Sequence, residues 1–174
     1  APGKSVTFRY RFYLHEGAVN GAGSWPGWNV NMNFNDCETY PDTCEEIRAL
    51  LQNQDFRIGL AVALDRERLI EVAWGGIGYP TALTISPQAW HFASAEGQAV
   101  YEEWRDTYSE YDPEAAKTHF DAAGFVDADG DGFRDLPSGA PFTLVMDQGD
   151  WGGQEIPVLS NEVYATNLNE VGVQ

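Results

Sequence analysis

Asp55-Phe56-Arg57-Ile58-Gly59-Leu60-Ala61-Val62-Ala63-Leu64-Asp65-Arg66 is the stretch on which the fold turns. An aspartate stands at its start, another near its end, and apolar residues fill most of the interval. Asp55 can cap a helix running through Leu64, and Asp65 can cap the next, which ends at Trp74 before Gly75-Gly76. Phe56, Leu60, Ala63 and Leu64 share one face of the first helix; Leu69, Ile70, Ala73 and Trp74 share one face of the second. Two helices that meet at a capping residue form a bend rather than one rod.

Working outward, residues 45–52 read as a short helix with Ile47, Leu50 and Leu51 inward. Upstream, residues 28–34 alternate Trp28, Val30, Met32 and Phe34 against Asn29, Asn31 and Asn33, the pattern of a strand with one apolar and one amide face. Residues 16–27 are glycine-rich loop, and residues 5–14 alternate as a half-buried strand. Downstream, residues 75–92 read as extended loop with Pro80 and Pro87. Ser94 opens a helix whose Val100, Tyr101, Trp104 and Tyr108 fall on one side. Asp112-Pro113-Glu114 starts another, stopped by Gly124. An acidic turn over residues 127–139, a strand over 141–147 and a helix over 157–170 complete the chain. Strands mixed with helices, with no repeat and no linker, indicate an α/β (mixed α+β) class and a single domain over residues 1–174.

The 174 residues carry 27 acidic and 10 basic side chains, a formal net charge of −17. Phosphate contacts need clustered Lys and Arg, so a nucleic-acid partner is excluded, and an anionic membrane surface is disfavoured. Solvation is the plain meaning of such acidity, with a cationic ligand or metal as the alternative. No run approaches the ~20 apolar residues needed to cross a bilayer. The absence of an initiator Met at Ala1 suggests a mature end or a piece of a longer chain.

Cys37 and Cys44 flank a proline-containing turn and can close a small disulfide loop, which would place the protein outside the cytoplasm; two free thiols or half of a metal site are the alternatives. Asp127, Asp129, Asp131 and Asp135 stand at positions 1, 3, 5 and 9 of a loop with Gly132 at 6 and the Phe133 carbonyl at 7. Alternating carboxylates in a tight turn suit a structural Ca²⁺, but Ser138 stands where a bidentate Glu is expected at position 12. A solvated acidic turn is the alternative. Trp25, Trp28, Trp74, Tyr79 and Trp90 flank loops and strand ends, where aromatic rings grip peptide or sugar, and Asn29 and Asn31 can hydrogen-bond such a ligand. Core packing and solvent exposure are the competing roles. Arg57, Asp65 and Arg66 read as structural. His15, His91 and His119 lie in unrelated contexts, and no nucleophile elbow, phosphate loop or metalloprotease helix occurs, so no catalytic residue is singled out and no catalytic cofactor is expected.

Three blocks together resemble the family-5 extracytoplasmic solute-binding proteins, the peptide- and nickel-binding components of ABC importers. They are the 55–66 stretch; Tyr111-Asp112-Pro113-Glu114-Ala115-Ala116-Lys117 followed by Ala122-Ala123-Gly124-Phe125; and Asp129-Gly130-Asp131-Gly132-Phe133-Arg134. Ile58-Gly59 departs from the family pattern, which has Gln or Lys and then Ala. The resemblance implies one lobe of a type II periplasmic-binding-protein fold, helices on a small mixed sheet, cut from a two-lobed protein several times longer. It implies capture of a peptide or other small solute for a membrane permease, an extracytoplasmic site of action, no enzymatic activity, and an open question of lipid anchoring. A secreted carbohydrate-binding or carbohydrate-active module with a structural calcium loop is the alternative.

Overall fold

The computed structural model describes residues 5–9, 28–82, 87–147 and 155–174. Trp25 and the far end of the first expected strand lie outside them. The elements run β1 (Ser5–Arg9), α1 (Cys44–Gln52), α2 (Gln54–Val62), α3 (Arg66–Trp74), a 3-10 turn (Trp90–Phe92), α4 (Ala95–Asp106), α5 (Pro113–Ala122), β2 (Thr143–Asp147) and α6 (Glu155–Glu170). β1 and β2 pair in parallel, Ser5 opposite Thr143 through Arg9 opposite Asp147. A parallel pair needs a long crossover, and here every helix but α6 lies between the two strands. Among the described residues this is a two-stranded sheet.

The bend at Asp65 forms as the sequence suggests. Asp65 accepts from the Arg68 amide at 2.8 Å and caps α3, and Gly75 ends it in the left-handed region at φ 59°. One cap differs from expectation. α2 is capped by Asn53, whose side chain accepts from the Phe56 amide at 3.2 Å. Asp55 lies inside the first turn and instead meets His119 Nδ1 of α5 at 2.8 Å.

The core is built where α2 crosses α5. Phe56, Phe120, Phe125 and Phe142 are fully buried, with ring centroids 5.3–6.2 Å apart in mostly edge-to-face pairs. Gly59 lets the two helices close: a Cβ there would stand 2.6 Å from Cε1 of Phe120. The remaining inward face of α2 behaves as predicted, with Leu60, Ala63 and Leu64 all buried. α6 packs on α3, where Tyr164 donates to the Leu60 carbonyl at 2.7 Å and Asn167 accepts from the Asp65 amide at 3.0 Å. Arg134 ties the acidic loop to both sides, donating to Asp121 and to the carbonyls of Phe125 and Val171.

Residues 28–34 are not a strand. Their backbone turns back on itself, with Met32 donating to the Val30 carbonyl and Phe34 to that of Asn31, while the Asn31 side chain accepts from the Asn33 amide at 3.2 Å. Asparagine offers its own backbone this local alternative to a sheet ladder. The Cys37–Cys44 disulfide forms, with a Cα separation of 5.0 Å, and staples this turn to the start of α1.

Candidate aromatic binding shelf

Residues 75–82 and 87–109 carry a second, smaller apolar cluster. Gly75, Gly76 and Gly78 all have positive φ, which lets the chain reverse after α3. The returning loop is fastened to α4 by the Ala82 amide, which donates to the Arg105 carbonyl at 2.9 Å. The hydroxyls of Tyr79 and Tyr101 meet at 2.9 Å. Burial, and then this hydrogen bond, raise the Tyr101 pKa above the ordinary tyrosine value. The 3-10 turn lies against the first turn of α4: a Cβ on Gly97 would stand 2.7 Å from the His91 carbonyl. Gln98 then donates to the carbonyls of Pro87 and Phe92.

Phe92 and Tyr101 form the buried centre, 5.2 Å apart, and Trp104 meets Phe92 edge-on at 6.4 Å. Around that centre the apolar surface is open. Trp90 is 78 % exposed, Trp104 49 % and Tyr79 46 %. Val100, Tyr101, Trp104 and Tyr108 recur at helical spacing along α4, and of the four only Tyr101 is buried. The helix packs on a 3-10 turn and a loop, which are too narrow to cover its whole apolar side.

The residues suggested as ligand contacts fall into two groups. Tyr79 and Trp90 belong to the shelf. Trp28 does not: its Nε1 donates to Asn161 Oδ1 at 2.9 Å and its ring lies 4.7 Å from that of Tyr164, so it packs on α6. Trp74 is half-buried against the main core, and its Nε1 is buried without a partner among the described residues. Asn31 is occupied in its turn, and Asn29 is exposed beside it. Tyr101 and Trp104 are shelf residues that the sequence shows only as part of a helical apolar spacing, which suits a core face and an open shelf alike. Their spacing carries no signal that distinguishes the two.

Each of the seven Lys and Arg side chains among the residues described with their side chains is engaged. Arg48 meets Glu45, Arg68 Glu71, Arg105 Asp106, Lys117 Glu114 and Arg134 Asp121. Arg57 and Arg66 donate to backbone carbonyls.

The acidic loop brings together three of its four aspartates: carboxylate oxygens of Asp127, Asp129 and Asp135 lie within 4.8 Å of one another. Asp131 is outside that group; its carboxylate accepts from the Phe133 amide at 2.7 Å. Asp127 accepts from Gly130 and Gly132, Asp129 from Asp131, and Asp135 from Ala128. Ser138, at position 12, is held by Glu46 of α1, which accepts from its amide and hydroxyl. Three convergent carboxylates suit a hard cation in donor type, but the same oxygens already serve the loop's own amides. A cleft of ≈ 340 Å³ lies beside this loop, lined by Lys117, Asp121, Asp127, Arg134 and Glu170 among others, and shares no residue with the aromatic shelf.

A helix-rich α/β unit around a parallel strand pair, carrying an open aromatic shelf, has the build of one lobe of a periplasmic-binding-protein-like fold. Residues 10–174 match the bacterial extracellular solute-binding proteins, family 5, middle region, and the chain belongs to that family. A periplasmic alpha-galactoside-binding protein of Rhizobium meliloti (strain 1021) is 30 % identical over 150 residues, 82 % of this chain and 19 % of the relative. The periplasmic oligopeptide-binding protein of an oligopeptide ABC transporter from Thermotoga maritima superposes with a TM-score of 0.54 at 28 % identity, over 69 % of this chain and 22 % of that one. A crystal structure of the same Thermotoga maritima protein with mannohexaose bound gives 0.53 at 26 % identity, over 69 % and 21 %. The oligopeptide-binding protein OppA gives 0.55 at 25 % identity, over 77 % and 19 %. The chain thus spans about a fifth of the length of these relatives.

Proposed function

We propose that this chain forms part of one lobe of an extracytoplasmic binding protein that captures a small solute on the shelf around Tyr79, Trp90 and Trp104 and hands it, chemically unchanged, to the permease of an ABC importer. The observation that carries this is the exposure of Trp90, Trp104 and Tyr79 around a buried Phe92–Tyr101 centre. Rings fixed in this way hold a ligand by packing at small entropic cost. The disulfide supports a place outside the cytoplasm.

Two solute classes compete. Peptide is the class the motifs suggest, and it is named for the Thermotoga maritima protein and OppA. An uncharged oligosaccharide is the second class, and packing on exposed rings needs no cation. The alpha-galactoside and mannohexaose named for two relatives support it too. Isothermal titration of the full-length protein with raffinose, mannohexaose and tri- to pentapeptides decides. Saturable 1:1 binding to a sugar, insensitive to salt, selects the oligosaccharide; binding confined to peptides selects the first class. Release of a hydrolysed product would overturn the binding-protein reading altogether.

We also propose that Asp127, Asp129 and Asp135 hold a structural Ca²⁺, on the support of their convergence. A melting temperature raised by millimolar calcium and lowered again by EDTA is the expected result. A melting temperature indifferent to both leaves a hydrogen-bonded turn.

A further inference from the structure

Arg66 opens α3, but its side chain does not follow the helix. Nη1 donates to the carbonyls of Ala61 at 2.9 Å, Leu64 at 3.4 Å and Ser109 at 3.1 Å, and Nε donates to that of Thr81 at 3.2 Å. No carboxylate lies within ion-pair distance of it among the described residues. Burial pushes its pKa below the usual arginine value, yet a guanidinium stays charged at any physiological pH. One cation therefore ties four carbonyls from three separate segments: the end of α2, the loop after α3 and the turn after α4.

Two of those segments frame the shelf. Thr81 follows Tyr79 by two residues, and Tyr79 is hydrogen-bonded to Tyr101. Ser109 closes the turn after α4, where its amide and hydroxyl donate to the Asp106 carbonyl. The third segment belongs to the main core through Leu60, Val62 and Leu64. The Asp112 amide, donating to the Val62 carbonyl at 2.9 Å, is a nearby backbone link of the same kind. A planar fork of fixed geometry suits several carbonyls at once, which a lysine ammonium serves less well.

We propose that Arg66 is the positioning residue of the aromatic shelf: without touching the solute, it holds the 79–82 loop and the 107–109 turn in register with the core, so that the rings present one rigid surface. Its effect on affinity rests on the function proposed above; its effect on the shelf's order does not.

Arg57 provides the control. It too donates only to carbonyls, those of Leu51 and Gln52, but within the α1–α2 corner of the main core. Hydrogen exchange and raffinose titration would be measured on the full-length protein and its Arg66→Met, Arg66→Lys and Arg57→Met variants. In Arg66→Met, exchange at the Ala82 amide rises at least tenfold while the α5 amide of Phe120 keeps its wild-type rate, and raffinose affinity falls at least tenfold. In Arg57→Met the Ala82 amide and the affinity stay within twofold of wild type, although the melting temperature drops. Should Arg66→Met not fold, Arg66→Lys decides, with faster Ala82 exchange and an unchanged Phe120 amide. Unchanged Ala82 exchange in both Arg66 variants, or equal loosening by Arg57→Met, overturns the proposal. Wild-type protein that binds neither raffinose nor any peptide sinks the solute reading and leaves the exchange result to judge Arg66 alone.

Discussion

Gly59 stands where the family pattern has alanine, and the Phe120 ring occupies the space a methyl group would need. The departure and the ring are two halves of one contact. Gly59→Ala is therefore expected to destabilise the fold by about 1–3 kcal/mol, the range for overpacking a closed core. Adding Phe120→Leu should recover part of that loss, with both read as denaturant midpoints. Tyr164 makes a second prediction. Burial raises its pKa above the ordinary tyrosine value, and its hydroxyl donates to the Leu60 carbonyl. A group whose pKa is raised on folding contributes stability that is complete below its unfolded pKa, near 10, and is lost as the pH climbs from there. The denaturant midpoint should fall above roughly pH 10, and Tyr164→Phe, already less stable at pH 8, should show a shallower fall. At this scale the buried face of α2 could be read from spacing. The role of Gly59 could not, because its reason lies on a helix more than 50 residues away.

Helix boundaries were legible because caps are local chemistry. Asp65, Ser94 and Asp112 all accept from an amide three residues on, as their sequence positions suggest. The exception is instructive. Asn53 and Asp55 are both good caps two residues apart, and Asp55 is drawn away by His119 of α5, a contact no local pattern contains. Asn53→Ala should cost about 1 kcal/mol, the usual loss of a cap, as measured by chemical denaturation. Alternation misleads at residues 28–34, where period-two apolar spacing describes a strand equally well as a turn whose asparagine satisfies its own backbone. α4 misleads in the opposite way: its apolar residues recur at helical spacing, but burial of that face depends on what is packed against it.

Across the whole molecule, two apolar clusters coexist, one closed around four phenylalanines and one left open around Tyr101. Trp90 is the most exposed ring of the second. Trp90→Ala should leave the melting temperature unchanged within a degree or so and weaken solute binding about tenfold or more, as followed by titration calorimetry. The order of helices, the caps at Asp65, Ser94 and Asp112 and the closing of the short Cys37–Cys44 loop follow from interactions between near neighbours in the chain, so the linear pattern was enough to place them and, with three ordered motifs, to suggest the family. The separation of Trp28 and Trp74 from Tyr79 and Trp90, the parallel pairing of β1 with β2, the carbonyl clasp of Arg66 and the exposure of α4 were decided in three dimensions. Each depends on which surfaces meet across tens of residues, and a side chain of given polarity carries no mark of whether its neighbour in space will be a core, a loop or open water.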